Sequence, residues 1–219
     1  MSAGGDGWYG VRCIFRLAVS GPYEERIAIW RARSFGHAVE LAELDAHEYA
    51  ESRGDEYLGF CDSYYVDDDI FEFDNEVFSS LRRSDLSSKE YVRTFFATGR
   101  EHVRESPPAT GGLQWYGVRC VYWWAEWDNQ PFEERITLWR TTSLAHAVEL
   151  AEQEAMRYAS DDSGIEYVGF CQGYGPCEGD NVRDGMVVFS LLRDSDLPPD
   201  KYIEAFFDTE GEWLPPHEE

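Results

Sequence analysis

Lysine is almost missing from this chain. Of 19 basic residues only Lys89 and Lys201 are lysines, and 43 acidic residues set the formal net charge at −24. A field of that sign repels nucleic acid and anionic membrane surfaces, and attracts cations or basic proteins. No run approaches the roughly 20 apolar residues that span a bilayer, and the start, MSAGGDGWYG, lacks the basic-then-apolar order of a signal peptide. The expectation is a cytoplasmic protein with neither nucleic acid nor membrane among its partners.

Signatures of catalysis are missing too. There is no Gly-x-Ser-x-Gly elbow, no phosphate-cradling Gly-rich loop and no His-Glu-x-x-His pair. The five cysteines, Cys13, Cys61, Cys120, Cys171 and Cys177, form no Cys-x-x-Cys pair. Their odd number without a secretory signal implies reduced thiols, and Cys171 and Cys177 lack nearby histidines for a zinc site. No metal, cofactor or structural disulfide is expected.

What is present is repetition, which decides the fold before any local reading does. WYGVRCIF (Trp8–Phe15) returns as WYGVRCVY (Trp115–Tyr122), and EERIAIWRARSFGHAVELAE (Glu24–Glu43) as EERITLWRTTSLAHAVELAE (Glu133–Glu152). YLGFC (Tyr57–Cys61) matches YVGFC (Tyr167–Cys171), and FSSLRRSDL (Phe78–Leu86) answers FSLLRDSDL (Phe189–Leu197). The matches keep their order, and a Pro, Gly and Ser-rich stretch lies between the two copies.

Within one copy, Tyr9, Val11, Cys13 and Phe15 alternate as in a half-buried strand, and Ile27 and Ile29 alternate beyond an SGP turn, which makes a hairpin. Ser34 is a good N-cap, and Ala38, Val39, Ala42, Ala46 and Tyr49 recur at helical spacing. Strands at Glu56–Cys61 and Glu76–Arg82 and a short helix near Ser88–Phe96 complete the copy; in the second copy Pro198 and Pro199 stand where a helix starts. The expected fold class is α+β: two tandem ββαββα repeats, each an antiparallel sheet with helices on one face. They span residues 8–99 and 115–211, joined by a linker at 100–114, as a pseudo-dimer within one monomeric chain.

The candidate site residues follow from the alternation. It sets Trp8, Arg12, Arg26 and Trp30, with Trp115, Arg119, Arg135 and Trp139 in the second copy, on one side of the sheet. Such a face holds together by stacking and could also bind a ligand. His37 and His146, in the first turn of the helix, read as capping or packing residues, since nothing marks a substrate proton for them. The acidic run from Asp67 to Glu76 lacks the glycine pattern of an EF-hand and reads as a solvated loop. The copies differ most at the second hairpin, YWWAEWDNQP, where Tyr122, Trp123 and Trp127 are candidates either for covering the first repeat or for binding a partner.

WYGVRCIF, PYEERIAIWRARS, HAVELAE and EVFSSLRRSDL together resemble a small bacterial family catalogued as a domain of unknown function, number 4288. The resemblance covers nearly the whole chain outside linker and termini. It implies a repeated α+β domain and brings no reaction or catalytic residues. The leading functional expectation is a non-enzymatic acidic module that binds a basic protein, for example an immunity protein neutralising a basic toxin or nuclease. The alternative is an enzyme or small-molecule binder recognising an anionic ligand at the cleft between repeats, through Arg12, Arg26, His37 and their counterparts.

Overall fold

The computed structural model describes residues 6–18, 21–66, 75–102, 112–161, 164–179 and 181–213. Most of the acidic run Asp67–Glu76 and most of the linker lie outside them.

The first repeat forms β1 (Gly7–Arg16), β2 (Tyr23–Ala32), α1 (Phe35–Arg53), β3 (Glu56–Val66), β4 (Asn75–Arg82), α2 (Ser88–Phe95) and a short β5 (Glu101–His102). The second forms β6 (Gln114–Trp124), β7 (Phe132–Thr141), α3 (Leu144–Asp161), β8 (Ile165–Tyr174), β9 (Met186–Arg193), α4 (Pro199–Phe206) and β10 (Glu212–Trp213). The class is α+β, and among the described residues there are two antiparallel sheets and no helix long and apolar enough to cross a membrane.

The sheets do not follow the repeats. Their strand orders are β3-β1-β2-β9-β5 and β10-β4-β7-β6-β8, so each repeat lends its fourth strand to the other repeat's sheet and takes the other's in return. This is the geometry of a swapped dimer written into one chain. Glu101 and His102, at the start of the expected linker, are paired with Arg193 and Leu192 of β9.

Each sheet has two covered faces. On the outer face of the first sheet, Tyr9, Val11, Cys13 and Phe15 meet α1, whose Ala38, Ala42, Ala46 and Ala50 recur every fourth residue and let the helix lie close. Ser34 starts that helix by accepting the His37 amide at 3.2 Å, and Gly54 ends it in the left-handed region at φ 71°. Ala147, Ala151 and Ala155 of α3 do the same on the second sheet. The inner faces pack on each other through Ile27, Ile29, Val77, Phe78, Ile136, Leu138, Val188 and Phe189.

The short helices fill the ends of this inner layer. Tyr202 of α4 stacks on Tyr23 with ring centroids 3.7 Å apart, and Tyr91 of α2 stacks on Phe132 at 3.9 Å. Long and short helices therefore take opposite faces of each sheet. This corrects the expectation of helices on one face: with Ile14, Leu58 and Phe60 turned inward, the inner face also needs cover, and α4 supplies it.

Gly10 and Gly117 in the repeated WYGVRC phrase explain how closely the sheets approach. A Cβ on Gly10 would lie 1.9 Å from the Val77 carbonyl oxygen, and one on Gly117 would lie 1.8 Å from that of Val188. Only glycine lets β1 cross the exchanged strand β4, and β6 cross β9, at that separation.

Candidate functional site

The register of the first hairpin decides where the candidate residues point. Arg12 opposes Ile27, Cys13 opposes Arg26, Tyr9 opposes Trp30 and Trp8 opposes Arg31. Directly opposed residues share a face, so Arg12 and Trp8 point inward while Arg26 and Trp30 point outward beneath α1. The second hairpin repeats this with Arg119 against Ile136 and Tyr116 against Trp139. The expected single face of Trp8, Arg12, Arg26 and Trp30 is therefore split in two, and likewise that of Trp115, Arg119, Arg135 and Trp139. Trp115 is buried in the inter-sheet core and Trp8 packs against it.

Arg12 and Arg119 meet between the sheets. Both are fully buried, and with Glu25 and Glu134 they close a four-membered ion cluster. Arg12 Nε lies 3.1 Å from Glu25 and its Nη2 2.5 Å from Glu134; Arg119 Nη2 lies 2.5 Å from Glu25 and its Nε 2.8 Å from Glu134. Phe78 lies under Arg12 at 4.4 Å and Phe189 under Arg119 at 4.2 Å. Burial alone would raise the Glu134 carboxyl, but Arg119 and Arg12 outweigh it and hold the group well below its ordinary value. Such a cluster fixes how the two sheets register on each other. It leaves neither arginine free to grip a ligand.

A second pair of contacts locks the exchanged strands. Arg82 of β4 pairs with Glu212 of β10 and donates to the Phe206 carbonyl at 2.7 Å; Arg193 of β9 pairs with Glu101 of β5 at 2.8 Å and donates to the Phe95 carbonyl at 2.6 Å. Each repeat thus ties down the strand that the other sends across.

The outward arginines are where the halves part. Arg135 is enclosed: Glu76, carried in on β4, lies 2.6 Å away and Glu154 of α3 3.4 Å away, while Tyr158 lies against the guanidinium at 4.3 Å. Tyr64 donates its hydroxyl to Glu76 at 2.8 Å, and Glu133 accepts from Ser79 at 2.9 Å beside them. Burial first, then the Glu76 charge, push the Glu133 carboxyl up. Arg26 has the same surroundings with two changes. Tyr49 stacks on it at 4.0 Å and Glu24 accepts from Ser190 at 2.7 Å, but Asp45 replaces Glu154 and lies 3.7 Å away, and Val187 stands where Glu76 would. A cavity of about 130 Å³ opens there, lined by Glu24, Arg26, Tyr49, Tyr174, Arg183 and Val187 among others. Nη1 of Arg26 faces no solvent and makes no hydrogen bond among the described residues.

Trp139 and Trp30 carry the same contrast. Trp139 Nε1 donates to Thr137 at 2.8 Å; Trp30 has Ala28 at that place, and its Nε1 has no partner among the described residues. His37 and His146 stand at helix starts. The Arg33 amide donates to His37 Nδ1 at 3.3 Å, and His146 Nδ1 lies 2.5 Å from Thr141 Oγ1. Neither histidine reaches the ion clusters.

Four of the five cysteines oppose each other across strands, with Cys13 Sγ 3.1 Å from Cys61 and Cys120 Sγ 3.4 Å from Cys171, and all five are unbridged. The contact with Cys61 and burial push the Cys13 thiol up. No group of three His, Cys, Asp or Glu side chains among the described residues is placed to hold a metal ion.

The second hairpin is mostly spent inside the molecule. Tyr122 is buried edge-on against Tyr158 beneath α3, and Trp123 packs beside Phe132 and Tyr91, donating Nε1 to the Gln130 carbonyl at 3.2 Å. Trp127 is exposed, with its ring 4.2 Å from that of Trp124. Of the partner-binding candidates, Tyr122 is therefore buried beneath α3, Trp123 is half-buried and lies on α2 of the first repeat, and Trp127 is exposed. Sequence reading passed over Glu25 and Glu134, although a glutamate kept twice in mid-strand was a usable signal. It also passed over Val187, Tyr174 and Arg183, whose place depends on the exchange. No protein-family model, curated protein or solved structure matches the chain, so what the site does rests on its own chemistry.

Proposed function

We propose that the protein is a non-enzymatic binding module whose acidic exterior docks a basic protein, as an immunity protein would mask a basic toxin or nuclease. One observation carries this reading. Among the described residues, the buried charged side chains are those of four arginines, Arg12, Arg82, Arg119 and Arg193, and four glutamates, Glu24, Glu25, Glu133 and Glu134. Their formal charges cancel, so the whole −24 belongs to the rest of the chain. The arginines are used to hold the sheets together, and the outside is left acidic.

The outer stripe of α1 concentrates this charge. Glu40, Glu48 and Glu51 are exposed along it, with Leu44, 69% exposed, among them. Carboxylates around an apolar side chain suit a basic surface with a shallow apolar contact, steered over the screening distance of about 8 Å at physiological ionic strength. The test is a triple reversal, Glu40→Lys, Glu48→Lys and Glu51→Lys, assayed against the partner recovered from the native host at low salt. Binding should fall at least about a hundredfold and should weaken steeply with added salt in the unmutated chain. A partner that is itself acidic, or binding indifferent to both salt and reversal, would refute the reading.

A further inference from the structure

The first repeat's Arg26 faces a cavity where the second repeat's Arg135 faces a carboxylate, and that difference has a chemical meaning. Around Arg135 the groups are Glu76, Glu133, Glu154, Tyr64 and Tyr158. Around Arg26 their counterparts are Val187, Glu24, Asp45, Tyr174 and Tyr49. Of these five counterparts four are kept in kind and one is not: where the Glu76 side chain presents its carboxylate, Val187 presents two methyl groups and the volume beyond them is open. From these counterparts we infer that the cavity between β2, β9 and α1 binds a small ligand through a carboxylate, which takes the position that Glu76 occupies in the other half.

The chemistry on the walls fits this class of ligand. A guanidinium is shaped to receive a carboxylate through two parallel N–H donors, and Arg26 Nη1 has only the long pairing with Asp45 at 3.7 Å and no hydrogen bond among the described residues. Tyr64 shows what the equivalent tyrosine does when a carboxylate is present, donating its hydroxyl to Glu76 at 2.8 Å; Tyr174 stands at the matching place on the cavity wall. Arg183, from the segment leading into β9, also lines the cavity, held by the Glu178 carbonyl at 2.8 Å and facing the Glu178 carboxylate at 4.0 Å. Glu24 on the wall does not exclude a second carboxylate, because the second half seats Glu133 and Glu76 beside one arginine, at the cost of the Glu133 carboxyl being pushed up. About 130 Å³ leaves room for a carboxylate and a short chain.

Both repeats line the cavity: Glu24, Arg26 and Tyr49 come from the first, Tyr174, Arg183 and Val187 from the second. The negative exterior does not forbid the site, since repulsion by distant exposed charges is screened within about 8 Å at physiological salt. This inference stands apart from the docking of a basic protein, which uses the outer stripe of α1.

Propionate is the free equivalent of a glutamate side chain and is the probe. Titrated into the full chain and followed by backbone amide NMR, it should shift Gly185 and Val187 saturably, with Arg26→Gln abolishing the response. Val187→Glu supplies the carboxylate from within. It should weaken propionate binding at least about tenfold, and its melting temperature should not fall below that of the unmutated chain. The mirror change, Glu76→Val, should create a second propionate site beside Arg135. No saturable shift in the unmutated chain, or propionate binding unchanged in a folded Val187→Glu, overturns the inference. Inorganic phosphate competing where propionate does not would overturn the assignment to carboxylates.

Discussion

The two helix-covered faces of this molecule are built from one plan and finished differently. Under α3, Arg135 is neutralised by Glu76 and Glu154, and Trp139 has its hydrogen-bond acceptor. Under α1, Arg26 has a more distant Asp45, Trp30 has Ala28, and a cavity remains. Between the sheets the halves stay closer to one plan: Arg12 and Arg119 share Glu25 and Glu134 almost evenly and differ in one neighbour, Asp62 beside Arg12 and Gln172 beside Arg119. A central cluster that serves both halves cannot lose a member without harm to both, whereas each outer face can change alone.

Three experiments would break or sharpen this contrast. The largest effect should come from separating the repeats. A fragment ending within the linker keeps β1 to β4, but the edge of β2 away from β1 has lost β9 and is left for the β4 of another fragment. It should be unfolded when dilute and a swapped dimer when concentrated, as seen by sedimentation and circular dichroism. In a dimer of first repeats Glu76 would meet Arg26, while in a dimer of second repeats Val187 would meet Arg135, so the first should be the tighter. A folded monomer of either repeat would contradict the exchange.

Next in size is Arg119→Met, which leaves Glu25 and Glu134 facing a single cation. Removing one partner of a buried ion pair costs about 3–5 kcal/mol, readable as a lower urea midpoint. Arg12→Met should cost more, because Asp62 stands 3.8 Å from Arg12 whereas the neutral Gln172 stands 3.2 Å from Arg119. Equal losses would mean that Asp62 adds nothing to the cluster.

The smallest effect is one of pH and concerns the same pair. Burial pushes the Asp62 carboxyl up to about 6, with Arg12 opposing and Glu134 adding to the rise. A carboxyl raised on folding favours the folded state in its protonated form. That contribution is full below the ordinary value of 3.8 and is lost as the pH rises through about 6. Asp62→Asn should therefore remove a fall in stability between about pH 4 and about pH 6, measured by urea unfolding. A fall of the same size in the variant would place its origin elsewhere.

Much of this architecture was legible in the residues. The repeat, the hairpins, the Ser34 start of α1 and the alanine stripe all follow from local patterns that short-range sterics and burial impose. The partner of an exchanged strand is not such a pattern. β4 reads the same whether it pairs within its own repeat or across, and only the packing of Phe78 and Val77 against β1 and β7 settles it. The faces of Arg26 and Trp30 were misjudged for a different reason. Both hairpin strands are buried on both sides, so alternation marks no polar face, and the pairing count across the turn decides instead. Arg16 opposite Tyr23 sets Arg12 opposite Ile27 and puts Arg26 on the far side.

The exchange of fourth strands has a consequence for inheritance. Residue 187 is encoded in the second half of the gene but forms a wall of the first half's cavity, while residue 76 is encoded in the first and completes the second. A codon change in one half is therefore expressed as a change of pocket in the other. A duplicated gene wired this way can retune one of its two faces without touching the segment that builds the rest of that face.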